Sequence, residues 1–193
     1  MNRRRTARGA AAGRGAAPLS GHWEYISVGP DPWGGEARAA RGDVVKVDVG
    51  CVMGGYTSDT GRTFVIGPPA PAQAEIFAAL APGSAAGRAL LGPGVPLAEG
   101  HRATTAAIRG RGFGGYARGH FGHGLGTGPG SEEWPFIAAD SPVTAEPGMV
   151  LAFECPWYIT GLGGFILEDQ ILITADGAET MNRLPRGLVS VGD

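Results

Sequence analysis

At 193 residues, with 43% hydrophobic and 18% charged residues, the chain holds enough apolar material for one well-buried domain. A formal net charge of −2 argues against the broad basic footprint of a binder of nucleic acid or anionic membrane. No apolar run approaches the roughly 20 residues of a bilayer span, and the N-terminus lacks a secretory apolar core. The composition therefore points to a cytoplasmic protein acting on a peptide or small molecule, with no nucleic acid and no membrane as partner. Cys51 and Cys155 are too few for a disulfide framework and read as reduced packing thiols.

Residues 1–20 form a basic tail: the first eighteen, MNRRRTARGAAAGRGAAP, carry five arginines and no apolar periodicity, which predicts disorder. A single domain is expected over 21–193. His22 to Val28, HWEYISV, predicts a strand, and GPDPWGG after it a loop. Val44 to Val49, VVKVDV, has strong β propensity with Asp48 inside it. Gly54-Gly55 then supplies a turn, and Tyr56 to Ile66 returns as a second strand with Asp59 in its first half. Burying a carboxylate in an apolar strand costs several kcal/mol unless a cation or several donors compensate, and two facing carboxylates repel. A divalent cation resolves both difficulties. The alternative is local: Asp48 caps a turn and Asp59 pairs with Arg62.

Gln73 to Leu91 is helical in composition but interrupted at Ala81-Pro82-Gly83, which predicts two short helices or a sharp kink. Leu97 to Arg109 predicts a helix bounded by Pro96 and Gly110, with His101 as a surface or packing histidine. Arg118 to Glu133, RGHFGHGLGTGPGSEE, is a glycine-dense run holding His120 and His123 and ending on paired acids. Met149 to Phe153 leads directly into Glu154; Gly161 to Gly164 turn the chain back into Phe165 to Thr174, with Glu168 embedded. This repeats the design of the first hairpin. Two carboxylate hairpins with a histidine strand between them could supply five hard or borderline ligands, enough for a pair of divalent ions.

The order Asp, Asp, His, Glu, Glu resembles the metal-dependent peptidases of family M24. VDVG, GYTSDTGRTF, GHFGHGLG, PGMVLAFE and ILEDQILIT match in order and approximate spacing, and the GYxSDxxRTF form is most similar to the Xaa-Pro aminopeptidase, prolidase and creatinase branch. The resemblance implies an α+β pita-bread fold, a curved antiparallel sheet with helices on its outer face. It also implies two divalent ions, manganese first, with cobalt, zinc or iron as alternatives. Asp48 would bind one ion, Asp59 and Glu168 would bridge both, and His123 and Glu154 would hold the other. A hydroxide between the ions would attack the scissile carbonyl of an Xaa-Pro-type substrate near its N-terminus, with Glu154 and His123 as catalytic residues and Glu154 shuttling the proton.

Two departures from the family pattern concern substrate. The loop before the first hairpin has Trp33 or a neighbour where relatives carry a histidine, and Gly130-Ser131 precedes Glu132-Glu133 where a second histidine is usual. Trp33, His120 and Glu133 are therefore the candidate substrate-binding residues, with His120 expected on the opposite strand face from His123 by its odd spacing. The branch also carries N-terminal elements before HWEYISV, so the resemblance implies an N-terminally truncated chain with an exposed apolar face or a homodimer covering it. Beside the peptidase reading stand a creatinase-like hydrolase of a small non-peptide C–N substrate and a non-catalytic binding module that retains the fold.

Overall fold

The computed structural model describes residues 18–33, 37–128 and 130–192. The expected tail falls mostly outside the described residues, but Leu19 and Ser20, assigned to it, already belong to the first strand. That strand, β1 (Leu19–Val28), pairs antiparallel with β2 (Val44–Met53) along its whole length. Gly54 and Gly55, both at positive φ, turn the chain as expected.

The return strand is not continuous. It divides into β3 (Tyr56–Thr57) and β4 (Thr60–Ile66), with Asp59 in the gap rather than inside a strand. The cause is local hydrogen bonding: the Ser58 hydroxyl accepts the Cys51 N–H at 3.1 Å, while the Ser58 N–H donates to the Cys51 carbonyl at 2.9 Å. This satisfies the backbone at the gap without a regular ladder.

The alanine-rich segment is a single helix, α1 (Pro71–Leu90), with Pro82 inside it, so the expectation of two helices is overturned. Tertiary packing offsets the ~3 kcal/mol that an internal proline costs. Ile76, Phe77 and Leu80 are buried in the core, and two glycines let α1 lie tightly on α2 (Leu97–Arg109). A Cβ at Gly83 would lie 2.4 Å from Ile108 Cγ1, and one at Gly87 would lie 2.1 Å from Thr104 Oγ1. Helix α2 keeps its expected bounds, and His101 is a packing histidine: it lies over Phe121 and makes a 3.0 Å bond with the Arg118 carbonyl.

The rest of the chain is β5 (His120–Gly124), β6 (Glu133–Ala138), β7 (Val150–Glu154), β8 (Trp157–Ile159), β9 (Gly163–Phe165), β10 (Glu168–Ile173), β11 (Ala178–Thr180) and β12 (Val189–Val191). The expected strand Phe165 to Thr174 is thus two, with Phe165 ending the small β8–β9 ribbon and Glu168 opening β10. The main sheet runs β1-β2-β4-β10-β7-β5-β6, antiparallel at each step, with β12 added parallel to β4. Helices pack on one face, where Phe153 and Ile137 meet Gly100 of α2.

Register is what positions the site. Tyr25 pairs with Asp48, Asp48 with Gly61, Gly61 with Glu168, and Glu168 with Glu154. Directly paired residues share a sheet face, so this is one row across five strands, with three carboxylates on the side away from the helices.

Candidate metal centre

Three of the five expected ligands lie in that row, and the other two drop in from irregular backbone beside it. Asp59 comes from the break between β3 and β4. His123 comes from β5, whose register against β6 shifts between His120 and His123. Gly122 sits in that irregular stretch at φ 135°, where a Cβ would lie 1.9 Å from the Ala152 carbonyl; only glycine fits so close an approach.

The row needs its own glycine. A Cβ at Gly61 would lie 2.8 Å from Glu168 Oε2, so the missing side chain is the space into which the carboxylate extends. Asp59, His123 and Glu168 each offer a ligand atom within 4.8 Å of the others, and all three are buried. His123 Nε2 is 3.5 Å from Asp59 Oδ2, and its Nδ1 lies 3.0 Å from the Gly124 carbonyl. With the Nδ1 proton donated to that carbonyl, Nε2 presents a lone pair to the cluster. Asp59 Oδ1 and Glu168 Oε2 are buried with no hydrogen-bond partner among the described residues. Orphaned buried carboxylate oxygens facing an imidazole fit a cation. Asp48 and Glu154 line the same cleft of about 250 Å³, together with Trp23, Tyr25, Ser131 and Glu132.

The electrostatics agree. Burial pushes all four acids up: Asp48 to about 6, with the neighbouring Asp59 charge adding to it, and Glu154 to about 7. Asp59 is raised, and Glu168 well raised, also chiefly by burial. Burial alone would lower His123, but its bonds to Asp59 and the Gly124 carbonyl outweigh that and raise it. Metal-free, these groups hold protons that a divalent ion would displace.

The substrate candidates separate. His120 does reach the cleft: its Nδ1 is 3.4 Å from Glu154 Oε1 and its Nε2 is 3.9 Å from Glu132 Oε2. The opposite-face expectation assumed a regular strand, and the bulge removes it. Glu133 does not line the cleft. Its carboxylate turns back to accept the Gly128 N–H at 2.7 Å, and Glu132 faces the acids instead. Trp33 is largely exposed and stacks on Tyr158 at 4.7 Å, away from the cleft lining. Arg62 pairs with Asp169, not with a ligand: its Nη2 is 2.6 Å from Asp169 Oδ1, while Nη1 donates to the Gly61 and Glu168 carbonyls. Cys155 is fully buried in the core, and Cys51 lies behind the site against Ser58.

Sequence reasoning missed two cations. Lys46 is fully buried with Nζ 3.5 Å from Asp48 Oδ2, and the Arg118 guanidinium lies 3.8 Å from Glu154 Oε1. The signal for Lys46 was present: it is two residues before Asp48 on a strand, hence on the same face.

A compact imidazole and carboxylate cluster on an antiparallel sheet defines a divalent-metal site of the kind hydrolases use. The model of metallopeptidase family M24 matches residues 13–175, and the chain belongs to that family. It is 34% identical over 172 residues to the Xaa-Pro dipeptidase of Pyrococcus furiosus, covering 88% of this chain and 47% of that one. It is 37% identical over 150 residues to the uncharacterized peptidase YqhT of Bacillus subtilis, covering 77% of this chain and 41% of the relative. The crystal structure of dipeptidase PepE from Mycobacterium ulcerans superposes with a TM-score of 0.83 at 30% identity, over 93% of this chain and 49% of that chain. The fold is accordingly the pita-bread fold. The chain spans about half the length of the curated relatives it matches. Among the described residues no helix is long and apolar enough to cross a membrane.

Proposed function

We propose that this chain is the catalytic domain of a metal-dependent peptidase of the Xaa-Pro dipeptidase or aminopeptidase type, using two divalent ions, manganese first, in the cytoplasm. One observation carries the reading: Asp59 and Glu168 each bury an unpartnered carboxylate oxygen beside His123, next to a row of paired positions that holds Glu168, Asp48 and Glu154. Asp48, Asp59, His123, Glu154 and Glu168 would hold the ions. When bound, such ions lower the pKa of water toward neutrality and polarise a carbonyl.

The protein's own groups do the rest. Glu154 is the carboxylate placed to take a proton from water and return it to a leaving amine; burial pushes it up to about 7 in the metal-free protein. Arg118 and His120 both approach Glu154 Oε1, which fixes that oxygen's orientation. A neighbouring cavity of about 520 Å³, sharing Glu132 with the cleft and lined by His120, Trp134 and Phe136, is large enough for a small peptide rather than a single side chain. A small cleft beside a pocket of that size favours the end of a short peptide. The proposed substrate contacts are thus His120 and Glu132, without the Glu133 and Trp33 expected from sequence.

The test is a screen of the metal-stripped protein, with and without manganese, against Xaa-Pro dipeptides, longer Xaa-Pro peptides and small amidines. Manganese-dependent release of the N-terminal residue is expected, reduced at least about a hundredfold in Asp59→Ala along with its bound metal. Cleavage of amidines alone would replace the peptidase reading with a small-substrate one. A wild type that binds no metal specifically would sink both.

A further inference from the structure

The main sheet has two ends, and they are built differently. At one end β6 carries Pro135 and its register against β5 shifts twice, features that discourage pairing with another strand. At the other end β1 holds neither proline nor lysine and keeps one register against β2 from Gly21 to Val28. Among the described residues nothing pairs with its outer edge. Gly29, one step beyond β1, donates its N–H to the Val44 carbonyl opposite it at 3.0 Å. Bonded positions alternate in an antiparallel ladder, so Ser27, Tyr25, Trp23 and Gly21 bond to β2, while Ile26, Glu24 and His22 turn their N–H and C=O groups outward.

The side chains of His22, Glu24 and Ile26 are all exposed, on the face opposite Trp23 and Tyr25. Neither His22 nor Glu24 has an ion-pair partner among the described residues. A strand that meets a second copy of itself antiparallel does so about a two-fold axis, and the side chains choose among the axes. An axis at Glu24 sets two carboxylates against each other, and one at His22 sets two imidazoles together. An axis at Tyr25 leaves Glu24 facing Ile26. An axis at Trp23 sets His22 opposite Glu24 at two places, Trp23 opposite Trp23, and Tyr25 over Gly21, where the ring covers bare backbone. It also brings Ile26 of the second copy toward an apolar groove of about 450 Å³ that Leu19, Val49 and Met53 line beside His22 and Glu24.

We propose that this chain forms a two-fold dimer by antiparallel pairing of β1 with β1 of a second copy, centred on Trp23. The outward N–H and C=O groups of His22, Glu24 and Ile26 complete a ladder across the junction, and the two sheets become one. The axis stands perpendicular to the sheet, so both clefts open on the same side, with Trp23 and Tyr25 of each copy at the junction. The inference needs no metal and does not rest on the metallopeptidase reading.

Sedimentation equilibrium of the full chain, over a range of concentrations, tests it. The wild type should reach twice the chain mass, with the amides of His22, Glu24 and Ile26 slow to exchange with deuterium. Glu24→Lys removes the opposite charges at two places and should weaken the dimer at least about tenfold. The double variant His22→Glu with Glu24→Lys restores opposite charges only where these two positions face each other, and should return the affinity to within about threefold of wild type. His22→Pro removes an outward N–H that β2 does not use, and should give a monomer that circular dichroism shows to be folded. Should His22→Pro unfold, the charge series decides alone. A wild type that stays monomeric overturns the inference, whether its outward amides exchange freely or another segment protects them. A dimer indifferent to Glu24→Lys, or one that the double variant fails to restore, overturns it as well, because the contact then lies elsewhere or in another register.

Discussion

The two acid-bearing hairpins look like repeats in sequence, yet the protein treats them differently. In the β2–β4 half, Asp48 lies against a lysine with no exposed surface, and its partner acid Asp59 stands outside the strands. In the β7–β10 half, Glu154 and Glu168 face each other directly across the ladder, and the nearby cation, Arg118, is about one-quarter exposed. One half sets its strand acid against a buried cation, and the other sets its strand acid against a partly exposed one. Each half thus holds one carboxylate beside a cation, Asp48 and Glu154, and one with an unpartnered buried oxygen, Asp59 and Glu168.

The largest test of that difference is pH. Raised carboxylate pKa values mean the folded state binds protons more tightly than the unfolded one, so stability is present below the ordinary carboxylate values and lost as pH rises through the folded values. Glu154 moves from 4.5 to about 7 and Asp48 from 3.8 to about 6. Asp59, Glu168 and His123 shift in the same direction, while His120, lowered by burial, runs the other way. Metal-free protein should lose on the order of 3 kcal/mol between pH 5 and pH 8, measured by urea unfolding, and manganese should restore it. A metal-free protein equally stable at both values would mean the acids are already satisfied.

Next comes the seam between the halves. Gly61→Ala places a methyl against Glu168 Oε2 and Ile166, so stability should fall by about 1–3 kcal/mol with a parallel loss of metal affinity. Unchanged metal affinity would show that Glu168 does not need that space. The smallest effect is expected at Arg118. As a partly exposed ion pair it is worth at most about 1 kcal/mol, so Arg118→Gln should change manganese affinity less than about fivefold. A larger effect would show that the partly exposed cation holds Glu154 as firmly as the buried Lys46 holds Asp48.

Much of the site was readable from acids embedded in apolar, β-prone runs, because a buried carboxylate demands explanation and a second one nearby narrows it. β1, β2, β7 and α2 followed from propensity and from Pro and Gly punctuation, whereas β6, β8, β11 and β12 were not expected and two return strands proved divided. What was not readable depended on contacts between distant segments. Pro82 stays inside a helix because Gly83 and Gly87 seat it on α2. His120 turns into the cleft because a bulge breaks alternation. Glu133 turns away because the Gly128 amide is within reach, and Arg62 chooses Asp169 because the β4–β10 pairing sets Glu168 with its carbonyl, not its side chain, toward the guanidinium. Lys46 was the exception: its face was legible, and only its burial was not.

The row from Tyr25 to Glu154 also bears on how the protein comes to exist. Its members are contributed by strands separated by more than a hundred residues of chain, and Glu168 meets Gly61 in a single paired position. In the unfolded chain the acids ionise apart from one another; the β2–β4 and β7–β10 pairings each bring two of them near, and the pairing of β4 with β10 joins the halves. That pairing works against like charge, and a divalent ion at the site would relieve the repulsion. On the metallopeptidase reading, a bound ion would therefore report completed topology as well as supply chemistry.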